Sequence, residues 1–381
     1  MSFKNCSLVF NDNTHGVVFS GQTVSGVFNI NQAEPKKIQS MLFQIAGETR
    51  VRWSESRNRR TFIFSGHEIY FKTAPINLTE KFLNHDGKVE IPAGLSSYNF
   101  SVKFPPKLPS SFEGTYGKIR YYVKVTIVRS YKMDKIAKFP FTVICKSDLN
   151  DNLVNSMPLR RKFSQDFSFL FVKKGTLYIT IDLPMAGYVP GQKVPITCSV
   201  RNNSRIKITS FTMCIERTTT YSCQSPHPKC RYEKQEAVEH IGKGAEEGEE
   251  MQFQVSLSIP GVPPSSLFPS LITFRYFVKV RAIAGGMHSN LKCHIPIHIG
   301  NVPVYMGQYD GGASTSSGPY VPSSSGQASA PPPEYFQLGL PTYEESQISS
   351  KMKEADPDDE DSGTVYAPRY PVYQFKIEKP L

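Results

Sequence analysis

Cys223, His227 and Cys230 fall within one short run, YSCQSPHPKC, and are the side chains of this sequence whose types and spacing most resemble a metal site. A structural zinc centre takes four ligands, usually as two short-spaced pairs. Two prolines interrupt this run, no second pair follows, and His240 stands at no ligand spacing, so neither a metal nor any other cofactor is expected. The signatures GxxxxGK[ST], GxSxG and HExxH are missing, as is any paired CxxC. GGASTSSG is rich in glycine but lacks the strand and helix between which a phosphate loop works. The sequence offers no reaction centre and reads as a non-enzyme.

What it does offer is recognition chemistry. In PPPEYFQLGLPTYEES (331–346), Pro332, Pro333, Glu334 and Tyr335 fit the pattern PPxY. Consecutive prolines bias a chain toward an extended left-handed helix, which lowers the ordering cost of binding. A WW domain grips such prolines in an aromatic groove, beside a pocket that takes the tyrosine. Leu340-Pro341-Thr342-Tyr343 keeps one proline and the tyrosine, so Pro341 and Tyr343 form a secondary, weaker site. Ala367-Pro368-Arg369-Tyr370 is degenerate in the same way. Linked weak sites can add avidity. The acidic run DPDDED (356–361) reads as a solubilising spacer, or as a strip that folds back on a basic body.

The body is basic. Of a net charge of +11, residues 301–381 contribute five Lys/Arg against eleven Asp/Glu, which leaves residues 1–300 at +17. Arg50, Arg52, Arg57, Arg59, Arg60, Lys173 and Lys174 are candidates for a surface that meets phosphorylated tails or anionic lipid. Nucleic acid is not expected, because no recognition module accompanies the charge. The seven cysteines are scattered and odd in number, which fits reduced, mostly buried thiols. The first residues lack a signal-peptide pattern, and no run approaches the roughly 20 apolar residues that span a bilayer. A cytoplasmic protein is expected.

The elements that must carry these residues are strands. Ile119, Tyr121, Val123, Val125 and Ile127 alternate along one face of KIRYYVKVTI, and Leu177, Ile179, Ile181 and Leu183 along one face of TLYITIDL. No long helical stripe accompanies them, and period-2 alternation of this kind predicts all-β sandwiches. The halves repeat. YNFSVKFPPKLPSSF (98–112) aligns without gaps on FQVSLSIPGVPPSSL (253–267) at an offset of 155, which also sets Arg120 on Arg275 and Lys124 on Lys279. Upstream, residues 19–30 match 189–200 at an offset of 170, so the first half holds about fifteen extra residues between these landmarks. The basic segment 50–62, read as an extended hairpin, is the expected place for them. The expected organisation is a sandwich over 1–150, a connection over 151–170, a second sandwich over 171–303, and a Gly/Ser/Pro-rich tail over 304–381 that cannot offset chain entropy and stays disordered.

LPSSFEGTYGKIRYYVKVTI, GYVPGQKVPITCSVRNNS and VPPSSLFPSLITFRYFVKVRA together resemble the arrestin clan, and within it the α-arrestins or arrestin domain-containing proteins. The resemblance implies two tandem arrestin-type, immunoglobulin-like β-sandwiches followed by a disordered C-terminal tail. It further implies an adaptor whose body engages a transmembrane receptor or transporter while its PPxY recruits a WW-domain HECT-type ubiquitin ligase. Such a protein works at the plasma membrane and endosomes. A redox or metabolic regulator that binds thioredoxin is a second reading, but the run 242–260, where the cysteine for it would stand, contains none. A coat-like sorting scaffold is a third, and it has no need of PPEY.

Overall fold

A computed structural model describes residues 6–11, 16–83, 89–131, 133–305, 342–345 and 366–375. Pro332, Pro333, Tyr335, Pro341 and the acidic run lie outside them.

Twelve strands build the first sandwich: β1 (Cys6–Phe10), β2 (Val17–Phe19), β3 (Thr23–Gln32), β4 (Lys36–Lys37), β5 (Ser40–Arg57), β6 (Arg60–Lys72), β7 (Ile76–Asn77), β8 (Glu90–Ile91), β9 (Gly94–Lys103), β10 (Phe112–Gly114), β11 (Gly117–Val128) and β12 (Lys135–Ile144). A three-stranded sheet β1-β3-β9 packs on a seven-stranded one ordered β2-β12-β11-β5-β6, with β7 and β10 at its margins. The alternation of β11 explains the layer: Ile119, Tyr121, Val123, Val125 and Ile127 are all fully buried.

The second sandwich comprises β13 (Leu159–Phe169), β14 (Val172–Leu183), β15 (Gly187–Tyr188), β16 (Lys193–Ser204), β17 (Ile208–Cys223), β18 (Lys229–Ala245), β19 (Glu250–Ser258), β20 (Ile272–Ala284) and β21 (Leu291–Ile299). Sheets β13-β14-β16-β19 and β15-β21-β20-β17-β18 enclose its core. The described residues contain no α-helix.

The repeat read from the sequence has a physical content. Tyr121 on β11 donates its hydroxyl to Pro109 O at 2.7 Å, and its counterpart Tyr276 on β20 donates to Pro263 O at 2.6 Å. Beside them, Ser111 donates its N–H to Val143 O and accepts Val143 N–H on Oγ, at 2.7 and 2.9 Å. Ser265 does the same for Ile299, at 2.8 and 2.9 Å. The loops are too rich in proline to pair as strands. One serine in each supplies both bonds that an edge partner would give the last strand.

Three expectations change. Residues 159–169 are not a connection: they are β13, paired with β14 along its length. Residues 145–158, with the 3-10 turns Leu149–Asp151 and Leu153–Ser156, cross between the sandwiches. The extra residues of the first half are not in 50–62, because the β5–β6 hairpin has a counterpart of similar length in β17–β18. They lie in 73–93, between β6 and β9, where the second sandwich has only 246–249. Finally, β22 (Thr342–Glu345) and β23 (Arg369–Val372) pair antiparallel, so those two segments of the tail are ordered.

Removing one hydroxyl tests the paired ties. Tyr276→Phe leaves the buried Pro263 carbonyl without this donor and is expected to cost about 1–2 kcal/mol. Tyr121→Phe should cost the same, each read as a lowered urea midpoint without loss of β-sheet circular dichroism.

Candidate functional site

The β5–β6 hairpin turns on Asn58 and Arg59, both in the left-handed region at φ 50° and 60°, as a two-residue hairpin loop demands. Its root is fixed to the second sandwich. Trp53 stacks on Phe64 at 5.3 Å, and the edge of His227 meets Phe64 at 5.4 Å. Lys229 reaches over Phe64 to Glu55 at 2.5 Å, and Ser65 bridges Ser225. Arg57, Arg59 and Arg60 are exposed at the tip, and Arg52 is exposed nearer the root. Arg50 is different: its guanidinium lies 3.5 Å from Glu48. Burial works against that carboxylate, but His67, Arg50 and Tyr122 hold its pKa below the usual range.

Lys173 and Lys174 do not join this group. Lys174 O accepts from Arg205 N, and Lys207 O from Gly285 N, which places the β13–β14 turn at the opposite end of the second sandwich. The sixteen residues of β17 separate the two ends by about 50 Å. The single basic surface expected from the sequence is therefore split between two ends of the molecule. The far tip carries a feature the charge pattern did not show. Leu170 and Phe171 make the turn at φ 45° and 68°, a conformation unusual for bulky side chains. Leu170, Phe171 and Val172 are all exposed there, Phe171 completely at 103%. Met287, on the adjacent β20–β21 loop, is exposed as well.

One titratable cluster of the body is internally matched around Glu216, whereas the fully buried Arg217 holds Nε and Nη1 without a hydrogen-bond partner. Glu216 meets Lys279 at 2.8 Å and Lys234 at 3.0 Å, and Lys279 also meets Glu236 at 2.6 Å. Burial pushes the Cys198, Cys214 and Cys293 thiols up to about 12 and Cys145 to about 11, far from thiolate chemistry. Cys223 Sγ lies 3.3 Å from His227 O, and no three His, Cys, Asp or Glu side chains among the described residues gather to hold a metal. No helix among them is long and apolar enough to cross a membrane.

A third surface escaped the sequence reading. Residues 366–375 run as a strap along the seam between the sandwiches. Tyr366 donates to Phe141 O at 2.9 Å, Tyr370 to Ser111 O at 2.8 Å, and Tyr373 to Asn301 O at 2.6 Å. Tyr370 is fully buried beside Val17 and Ile144, and Tyr373 is buried against Leu149 and Val189. Burial pushes the Tyr366 phenol up to about 12 and Tyr370 well above its usual value, so both are neutral donors. Gly191, at φ 88°, is needed where it stands: a Cβ there would collide with Tyr373 O. Ala367-Pro368-Arg369-Tyr370 is thus no free WW ligand, because its tyrosine is sunk in the seam. The tyrosine spacing of VYAPRYPVYQF was the only signal.

Tyr343 belongs to the same assembly. Its backbone sits opposite Pro371 in the β22–β23 ladder.

Residues 6–150 match the family described as "Arrestin (or S-antigen), N-terminal domain", and residues 173–304 match "Arrestin (or S-antigen), C-terminal domain". The chain is 28% identical to "Arrestin domain-containing protein 17" of Caenorhabditis elegans over 305 residues, covering 78% of this chain and 70% of that protein. It is 25% identical to "Arrestin domain-containing protein 4" of Mus musculus, covering 79% and 72%. With "Arrestin domain-containing protein 1" of Homo sapiens the identity is 24%, over 76% and 64%. With both sandwiches matched in order and relatives of this kind along most of its length, the chain belongs to the arrestin family, in its α-arrestin, arrestin domain-containing branch.

Proposed function

We propose that this α-arrestin is an adaptor that brings membrane-protein cargo, a receptor or transporter, to WW-domain HECT-type ubiquitin ligases, promoting ubiquitination, endocytosis and endosomal sorting of the cargo. The observation that carries the reading is Pro332-Pro333-Glu334-Tyr335 in the chain beyond an arrestin body. The protein supplies no reactive group. It raises the local concentration of ligase beside the lysines of its cargo, an effect of linkage rather than of new contacts.

The body's two tips suit different halves of the task. Arg57, Arg59 and Arg60 offer a mobile-tailed cargo three cations at the end of a braced hairpin, suited to acidic or phosphorylated segments. Leu170, Phe171 and Val172, flanked by Lys173 and Lys174, suit the headgroup region of an anionic bilayer: apolar side chains enter while lysines remain with the phosphates. A cytoplasmic protein held peripherally at the plasma membrane and endosomes follows from this reading.

Two experiments test it. Tyr335→Ala should lower capture of a WW-domain ligase by about tenfold or more, as loss of an aromatic anchor does, with an unchanged melting temperature; undiminished pull-down would defeat the adaptor reading. In co-sedimentation with phosphatidylserine vesicles, Phe171→Asp combined with Lys173→Glu and Lys174→Glu should release the protein. Each lysine near such a surface is worth about 1 kcal/mol. Equal sedimentation of variant and parent would remove the membrane contact.

A further inference from the structure

The strap and the secondary WW site share one short ladder, and that juxtaposition has a functional consequence. β22 pairs with β23 through Thr342↔Val372, Tyr343↔Pro371, Glu344↔Tyr370 and Glu345↔Arg369. β23 in turn is held by the seam, through Tyr370 to Ser111 O of the first sandwich and Tyr373 to Asn301 O of the second. Tyr373 N also donates to Pro190 O at 3.0 Å. Resting on the reading of Tyr343 as a WW ligand, we propose that the docked strap closes this second site, so that a WW domain and β23 compete for Thr342 and Tyr343.

The competition follows from backbone geometry. A WW domain takes its peptide as a polyproline helix near φ −75°, with prolines and tyrosine pressed into an aromatic groove. An antiparallel strand sits nearer φ −140° and commits its backbone to the neighbouring chain. Thr342 and Tyr343, which the motif and the ladder share, cannot hold both conformations. The ladder is also built to yield. It is four residue pairs long, and Pro371, opposite Tyr343, brings no N–H to it. The strap itself is anchored far better, by three buried or part-buried tyrosines. When β22 leaves, β23 can therefore stay seated. The latch is β22, and the strap is the frame it closes on.

Two states of the tail result. With the latch closed, the protein presents PPEY alone and captures one WW domain. With it open, Pro341 and Tyr343 become a second ligand a few residues further along, and a ligase with tandem WW domains is held bivalently. Because binding at one state excludes the other, affinity is reduced by the fraction of open latch, and WW binding must in turn favour the open form by the same factor.

The test uses the full-length chain carrying Tyr335→Ala, so that only the second site remains, and a recombinant tandem WW fragment of a HECT-type ligase. The synthetic peptide 338–348 serves as the fully open reference. The peptide should bind at least about fivefold more tightly than the full-length Tyr335→Ala protein, an open fraction near one in five or less. Truncation after residue 365 should restore the peptide's affinity. Should truncation lower the melting temperature of the body, Tyr370→Phe with Tyr373→Phe keeps both rings and removes only the hydroxyls that fix the strap; it should shift affinity in the same direction. Equal affinity of intact, truncated and doubly substituted proteins, with a peptide that does bind, would overturn the latch and leave the WW reading standing. A peptide that fails to bind would overturn the reading of Tyr343 and the latch together, while capture through Tyr335 is decided separately.

Discussion

The seam between the sandwiches is buried and polar, and Asn301 joins the backbone groups of three segments there. Its side chain accepts from Ser147 N at 2.9 Å and donates to Cys145 O at 2.6 Å, while its own N–H donates to Ser147 O at 2.9 Å. Its carbonyl is left for the hydroxyl of Tyr373. An unpaired buried polar group costs on the order of 1–3 kcal/mol, so one asparagine ties the last strand of each sandwich and the strap into a single hydrogen-bonded unit. Around it the apolar contacts continue, with Phe112 of the first sandwich against Phe274 of the second at 4.7 Å between ring centroids. The fully buried Arg217 lies 5.1 Å from the same Phe112 ring. The two halves share a core rather than merely touching.

Much of the architecture was legible because it rests on period-2 burial. β11 shows it without interruption and β20 breaks it only at the buried Lys279, and the offset of 155 between them reflects equivalent strands with equivalent tyrosine ties. β13 was read as a connection because it is an edge strand bearing Arg160, Arg161 and Lys162. Edge strands carry charge for reasons of solubility, which erases the alternation. The misplaced insertion has a related cause. A hairpin and a loop of similar polarity look alike, and only the matching length of β17–β18 shows that 50–62 adds nothing.

The candidate surfaces are legible as charged segments and not in their placement. Charge named Arg57, Arg59, Arg60, Lys173 and Lys174, but distance along a sandwich is not written in local sequence. The apolar turn at Leu170 and Phe171 was hidden because a strand end and an exposed tip have the same composition. The strap was hidden for a different reason: Tyr366, Tyr370 and Tyr373 are buried by residues more than 60 positions away, in a groove that exists only once both sandwiches have closed.

The placement of the two basic tips has a last consequence. Fields in physiological salt decay over about 8 Å, whereas β17 holds the tips about 50 Å apart. Each tip therefore binds counterions and responds to substitution without sensing the other. Evolution can retune either tip by a charge at a time while the other keeps its own field, and the length between them acts as insulation.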